Sequence, residues 1–269
     1  MWWLANCATM ILMDADTPKT AELSLPQAFL LLATNDKDGK PEVPVFALRT
    51  TVAGAILAEL DLVGAIGLEG KHVRATGAAP ETDFQHELEL IRGKSRPHTP
   101  KQWVAILEGR AEVRRVYEGM ASRGIVEHVG ARHLGLFRTV RYPEKDHGPE
   151  AALKERIEAA LSGAPAEPAK PDPVPSHATP PADATPEAAP DAGTAGAAKP
   201  DAAKPDAKAS DARIKELIPL LQVAGLLGKL FPAADARRVM ELTSGHWPSL
   251  AVEDELRMIK MAQAESPTL

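Results

Sequence analysis

Residues 49–64 read RTTVAGAILAELDLVG, and this stretch decides the fold. Large apolar side chains recur at every third or fourth position from Val52 to Val63, which predicts a helix over residues 49–63 that ends at Gly64. Alanine and glycine occupy most of its other sides, so neighbouring helices can approach it from all directions. We therefore expect a central, buried helix in a mainly α-helical bundle.

Helix and hairpin patterns continue on both sides of this stretch. A short apolar helix is predicted over Leu23–Thr34, with Ser24 as its N-cap. Two β-hairpins are predicted, at Ala65–Gly77 and at Ile125–Tyr142, the second turning around Gly130. The remaining patterns predict helices that begin near residues 83, 99, 110, 149, 214, 234 and 250. In the helix that begins near residue 99, Trp103 and Ile106 are predicted to face the protein core.

Residues 163–210 differ from the rest of the chain in composition. They contain 11 Pro and 16 Ala, and Val174 is their one large apolar side chain. Such a segment buries too little apolar surface to offset its conformational entropy, so we predict a disordered, low-complexity linker. With four Lys against seven Asp or Glu, this linker carries half of the chain's net charge of −6.

The pattern after the linker predicts a helix from Ile214 to Leu230 that is apolar on most of its circumference. A helix of this kind is normally buried in a larger domain. We therefore predict that residues 22–162 and 211–265 form one helical domain into which the linker is inserted.

Residues 1–21 open with the apolar sequence MWWLANCATMILM. No Lys or Arg precedes the apolar stretch, unlike in a signal peptide, and it is too short to span a bilayer. We interpret residues 1–21 as a disordered or mis-annotated tail. The alternative is an interfacial membrane anchor, because Trp2 and Trp3 favour the headgroup region.

Patterns that support catalysis or metal binding are missing from the sequence. It contains no GxSxG, P-loop, HExxH or GxGxxG motif, and its eight histidines are scattered. Cys7, the single cysteine, cannot form a disulfide framework and fits a reducing compartment. We therefore expect a cytoplasmic protein that is not an enzyme and has neither a cofactor nor a metal. The net charge of −6 also argues against a strongly basic nucleic-acid binder.

Three arginines of the helix predicted from residue 110 form a candidate anion site. Arg110 and Arg114 are four positions apart, and Arg115 is adjacent to the second of them, so all three can lie on the polar side. Guanidinium groups bind phosphate through paired hydrogen bonds. The alternative is a solvated surface whose arginines pair with Glu112 and with other acids nearby.

Several segments, in order along the chain, resemble the Golgi phosphoprotein 3 family. They are LSLPQAFLLLATNDKDGK (23–40), AGAILAELDLVGAIGLEG (53–70), APETDFQHELELI (79–91), TPKQWVAILEG (99–109), VYEGMASRGIVEH (116–128) and ARIKELIPLLQVAGLLGKLFP (212–232). The resemblance covers about Leu23–Gly163 and Asp211–Leu242. The Ala/Pro/Asp-rich linker is typical of a bacterial, actinobacterial-type member.

The resemblance implies a mainly helical domain and a non-enzymatic adaptor on the cytoplasmic face of a membrane. In this family the ligand is the headgroup of phosphatidylinositol 4-phosphate, and protein clients and self-association are also expected. Lipid binding by this chain is therefore expected to involve phosphatidylinositol 4-phosphate or another anionic lipid.

The family's headgroup-binding residues are matched in part. One basic position falls on Arg110, whereas two others fall on Ala53 and Val113, and the family's Trp falls near Pro44. Arg49 lies four positions before Ala53, so its long side chain can reach the same surface one turn away. The predicted lipid site therefore combines Arg49 with the three arginines near residue 110.

Parts of the sequence also fit two other functions. A winged-helix nucleic-acid module is favoured by the order helix, glycine, hairpin, which occurs over residues 49–77 and again over 110–142. The acidic residues Glu59 and Asp61 on its first candidate recognition helix oppose it, because such a helix should be basic.

The second alternative is a protein–protein interaction module without lipid binding. Leu134, Leu136 and Phe137 give the second hairpin more apolar surface than an isolated hairpin needs. We therefore predict that this hairpin is a self-association edge, which makes a homo-oligomer the expected partner.

Overall fold

The structure is a computed structural model that describes residues 22–77, 80–133, 137–163 and 205–265. Within these ranges the chain is mainly α-helical with two antiparallel hairpins, which confirms the predicted fold class. The helices are α1 (Leu25–Leu32), α2 (Val45–Leu62), α3 (Gln85–Gly93), α4 (Pro100–Leu107), α5 (Arg110–Ser122), α6 (Gly148–Ser162), α7 (Pro205–Val223), α8 (Leu227–Leu230), α9 (Ala236–Thr243) and α10 (Trp247–Glu265). The strands are β1 (Ile66–Glu69), β2 (His72–Ala75), β3 (Val129–His133) and β4 (Phe137–Arg141).

Helix α2 forms the centre of the bundle, as its sequence predicts. It begins at Val45, earlier than expected, and 13 of its 18 residues are buried. Helices α1, α4, α5, α7 and α10 all pack against it. The approach is close at Gly54, because a side chain there would meet the Val252 methyl group of α10. The small residues of α2 therefore set how near its neighbours lie.

Helix α7 packs against α1, α2 and α6, all of which precede the predicted linker. Its residues Ile218, Leu220 and Leu221 are fully buried, and they belong to one hydrophobic core that includes side chains from both parts of the chain. The core is therefore continuous across the interruption.

The predicted tail (1–21) and residues 164–204 of the predicted linker lie outside the described residues. Helix α7, however, begins at Pro205 rather than at residue 211. The sequence PDAKAS at 205–210 favours this early start, since Pro and Asp are preferred in a first helical turn and Ala is a strong helix former. The helix therefore begins inside the predicted linker, and the division of the chain at residue 210 remains a prediction.

Two local predictions are wrong. Gly130 pairs with Val140 inside the second hairpin and therefore does not form its turn. Ile106 is exposed, because Trp103, Val104 and Leu107 define the buried face of the short helix α4. The predicted helix start near residue 99 is confirmed, because Thr99 caps α4 through a capping box with Gln102.

Proteolysis offers a test of whether the two parts form one domain. Cleavage between residues 164 and 204 is expected to leave both fragments associated, because α7 buries its apolar side chains against α1 and α2. Size-exclusion chromatography of the cleaved protein without denaturant measures this. Separation of the fragments would show that the parts before and after the linker are independent.

Candidate anion-binding site

The site is formed where α5 begins. Gly109 is the N-cap residue in an extended conformation, and Arg110 is the first helical residue. Val116 and Met120 are among the side chains of α5 that face the core. Arg110 is exposed on the other side of the helix. Its guanidinium forms no hydrogen bond or ion pair with the residues that the structure describes.

Arg114 and Arg115 differ in their surroundings. The Arg115 Nη2 atom lies 2.5 Å from Oε1 of Glu87, whose side chain is only 1% exposed, so Arg115 neutralises a buried carboxylate of α3. Arg114 has a weaker contact, 3.9 Å from its Nε to Oε1 of Glu118, and both side chains are more than half exposed. Exposed pairs of this kind contribute little. Arg114 is therefore available to a ligand, whereas Arg115 has a structural partner.

The start of α2 lies against the loop before α5. The Thr50 hydroxyl donates a hydrogen bond to Oε2 of Glu108 at 2.8 Å, which joins the two segments. Arg49, the neighbour of Thr50, donates only to the carbonyl oxygen of Val45, at 3.4 Å from its Nε. No carboxylate in the described part of the chain pairs with Arg49. The structure thus brings together the segments that carry Arg49 and Arg110.

An acidic side chain already occupies the beginning of α5. A Cβ atom at Gly109 would lie 1.8 Å from Oε2 of Glu112, so this carboxylate folds back over the first turn. Negative charge is favoured there, because unpaired N–H groups and the helix dipole make this end positive. An anionic ligand that approaches Arg110 therefore competes with Glu112.

A second group of titratable residues joins distant parts of the chain. Ligand atoms of Asp36, Glu144 and His147 lie within 4.8 Å of one another, the one such set among the residues described. The Glu144 carboxylate accepts a hydrogen bond from His147, which raises the pKa of the imidazole, whereas burial raises the pKa of Glu144. The hydrogen bond between His147 and Glu144 explains why these two groups lie together. The spacing of these residues in the sequence does not predict the cluster.

The two other predicted functional features are the self-association hairpin and the nucleic-acid recognition helix. Leu134 and Leu136 lie outside the described residues, and Phe137 begins β4, where its backbone pairs with His133. Self-association through this hairpin remains a prediction. The structure opposes the nucleic-acid alternative at α2, because 13 of the 18 residues of this helix are buried and it cannot enter a groove of DNA.

These features define a class of protein: a helical bundle around one small-residue helix, with two hairpins and exposed arginines at its surface. No helix in the described ranges is long and apolar enough to cross a membrane. The model of the family Golgi phosphoprotein 3 (GPP34) matches residues 25–259, so the match extends over both sides of the predicted linker. The chain therefore belongs to the GPP34 family. No curated protein matches it.

Ala53 and Val113, on which the family resemblance places two basic positions, are buried in the core with 0% and 9% of their surface exposed. Pro44, near which the resemblance places a Trp, is the N-cap of α2. Neither Ala53 nor Val113 can therefore contact a ligand at the surface, which leaves the arginines as the candidate contacts.

Proposed function

We propose that this protein is a non-enzymatic adaptor that binds anionic membrane lipids peripherally through Arg110, Arg114 and Arg49. The observation that supports this most is that Arg110 and Arg49 are without a carboxylate partner in the described part, on segments that lie against each other. Arginine recognises phosphate with paired, charge-assisted hydrogen bonds. Membership of the GPP34 family favours phosphatidylinositol 4-phosphate as one such lipid.

Binding through these arginines alone is weak. A basic residue near an anionic leaflet contributes ~1 kcal/mol, so three of them correspond to dissociation constants of roughly millimolar or weaker. Two exposed apolar side chains lie on the same segments, Val45 in the first turn of α2 and Ile106 near the end of α4. Their insertion between headgroups, or self-association of the protein, strengthens the reversible attachment. The cytoplasmic face of a membrane is the corresponding location, with protein clients recruited there.

Replacement of Arg110 and Arg114 together by Ala is expected to reduce binding to anionic liposomes. Each of these arginines contributes ~1 kcal/mol, so loss of the pair corresponds to a reduction of roughly thirtyfold. Addition of Arg49→Ala is expected to weaken binding further. Co-sedimentation at low ionic strength, with phosphatidylcholine vesicles that contain or lack phosphatidylinositol 4-phosphate or phosphatidylserine, measures this effect.

Matched variants separate a specific site from a loss of net charge. Arg237→Ala/Arg257→Ala removes the same charge from exposed positions of α9 and α10 and is expected to bind as the parent does. Glu112→Gln removes the competing carboxylate and is expected to increase binding. The melting temperature of each variant checks the fold. Equal binding by the parent and the triple arginine variant contradicts the lipid site and favours a pure protein–protein interaction module.

A further inference from the structure

We propose a second anion site, for a phosphate group on a small molecule or lipid headgroup, in the pocket between β2 and the loop after α3. This pocket has a volume of about 600 Å³, and four basic side chains line it: Arg74, Arg92, Lys94 and Arg96. None of the described residues that line it is acidic. Like charges gathered around one cavity repel each other unless an anion binds between them.

The backbone fixes the loop that carries two of these cations. The Val73 amide donates a hydrogen bond to the carbonyl oxygen of His98 at 2.9 Å, so the end of the loop pairs with β2. The His98 ring nitrogen Nδ1 lies 2.9 Å from the carbonyl oxygen of Arg96. These bonds place Arg96 and Arg74 around the same cavity although 22 residues separate them in sequence. Hydrogen bonds therefore hold the backbone of β2 and of the loop after α3 in a fixed arrangement around the pocket.

A second observation, independent of charge, also indicates a ligand. Trp103 lines the pocket, is 1% exposed, and its indole Nε1–H finds no acceptor among the described residues. A buried donor without a partner is costly, and indole nitrogens are usually paired when buried. Nε1 itself is covered in the structure, so a small shift of the pocket wall brings it into contact with a phosphate oxygen, the acceptor that it lacks.

Helix electrostatics alone do not explain the cluster. Cations are favoured at the C-terminal end of α3, which accounts for Arg92 and Lys94. Arg74 and Arg96 lie outside that helix. Arg74 uses its Nε in a surface pair with Glu69, 2.9 Å away, and both side chains are more than half exposed. Its two terminal nitrogens remain for a ligand, because the guanidinium group has five donors.

The chemistry of these groups favours a phosphate monoester. Guanidinium groups bind its oxygens in pairs, the Lys94 ammonium adds a point charge, and the volume is in the range of small-ligand sites. The same group is present on soluble metabolites and on phosphatidic acid. This pocket and the Arg110 site share no residue, so the two sites can be tested separately.

The test compares the parent protein with Lys94→Ala/Arg96→Ala. Glycerol 3-phosphate, titrated by calorimetry, is the soluble probe, and vesicles of phosphatidylcholine and phosphatidic acid in equal parts are the membrane probe. Binding of at least one probe is expected, with affinity reduced roughly tenfold or more in the variant. Binding of only the soluble probe or only the vesicles identifies the source of the phosphate. No binding of either probe by the parent, or equal binding by parent and variant, overturns the proposal.

Three further variants make the result specific. Trp103→Phe keeps an aromatic ring but removes the indole N–H, so it is expected to weaken binding by about threefold to tenfold. Lys71→Ala/Lys101→Ala removes the same charge from nearby residues that do not line the pocket and should leave affinity unchanged; an equal loss there contradicts a defined site. Arg110→Ala/Arg114→Ala is expected to retain binding of glycerol 3-phosphate, whatever its effect on the adaptor's lipid binding.

Discussion

Replacement of Arg213 by Met is expected to lower the free energy of unfolding by about 3 kcal/mol. Arg213 Nη2 lies 2.7 Å from Oε1 of Glu59, a residue of α2 that is 4% exposed. The other carboxylate oxygen accepts a hydrogen bond from the Leu25 amide at 2.8 Å. This one carboxylate therefore joins α1, α2 and α7. Without the guanidinium group, a buried negative charge loses its counter-charge.

Chemical denaturation measures the loss, and two variants serve as controls. Arg257→Met removes the exposed pair with Asp254, so it is expected to cost less than about 0.5 kcal/mol. Glu59→Gln combined with Arg213→Met is expected to recover part of the lost stability, because a neutral amide needs no counter-charge and still accepts from Leu25. If Arg213→Met costs no more than Arg257→Met, the ion pair does not link the two parts of the bundle.

Replacement of Gly54 by Ala is expected to destabilise the protein by about 2 kcal/mol, although Ala is the better helix former. The new Cβ atom would lie 2.1 Å from Cγ2 of Val252, where α2 and α10 meet. The Val252 side chain cannot rotate away from the new Cβ atom, because Val252 is fully buried. The helices must therefore move apart and lose packing along their contact.

Gly119 provides the matched control within another helix. A Cβ atom there would lie 3.5 Å from Nε2 of Gln27, an ordinary contact, so Gly119→Ala is expected to stabilise the protein by about 0.5–1 kcal/mol. Thermal or chemical denaturation of both variants shows whether the signs differ. Val252→Ala in the Gly54→Ala background should restore part of the loss. A Gly54→Ala protein as stable as the parent contradicts the close helix crossing.

Much of the bundle could be predicted because the relevant interactions are local. The start of α4 near residue 99, the start of α5 at residue 110 and the end of α2 before Gly64 each depend on residues within a few positions of one another. The burial of α7 was also predictable, because its apolar residues surround the helix. Such patterns fix which surfaces must be covered, and the family match over residues 25–259 agrees with them.

The roles of the charged residues could not be predicted in this way. From the sequence, Glu59 and Asp61 are interpreted as surface acids of a candidate recognition helix. In the structure, Glu59 pairs with Arg213, and Asp61 accepts a hydrogen bond from the Trp247 indole at 2.8 Å. Arg115, equivalent to Arg114 in sequence, is held by the buried Glu87. In each case the deciding partner lies on another helix.

The sequence by itself therefore determined that this chain forms a helical bundle around residues 49–63, and which faces of its helices are buried. Periodicity and capping act over a few residues, so they are readable along the chain. Only the tertiary structure decided which arginines pair with a buried carboxylate and which side chains share a pocket. Glu59 and Arg213 are 154 positions apart, and the cations around Trp103 come from separate elements. Charge pairing depends on distances through space, and folding alone sets those distances.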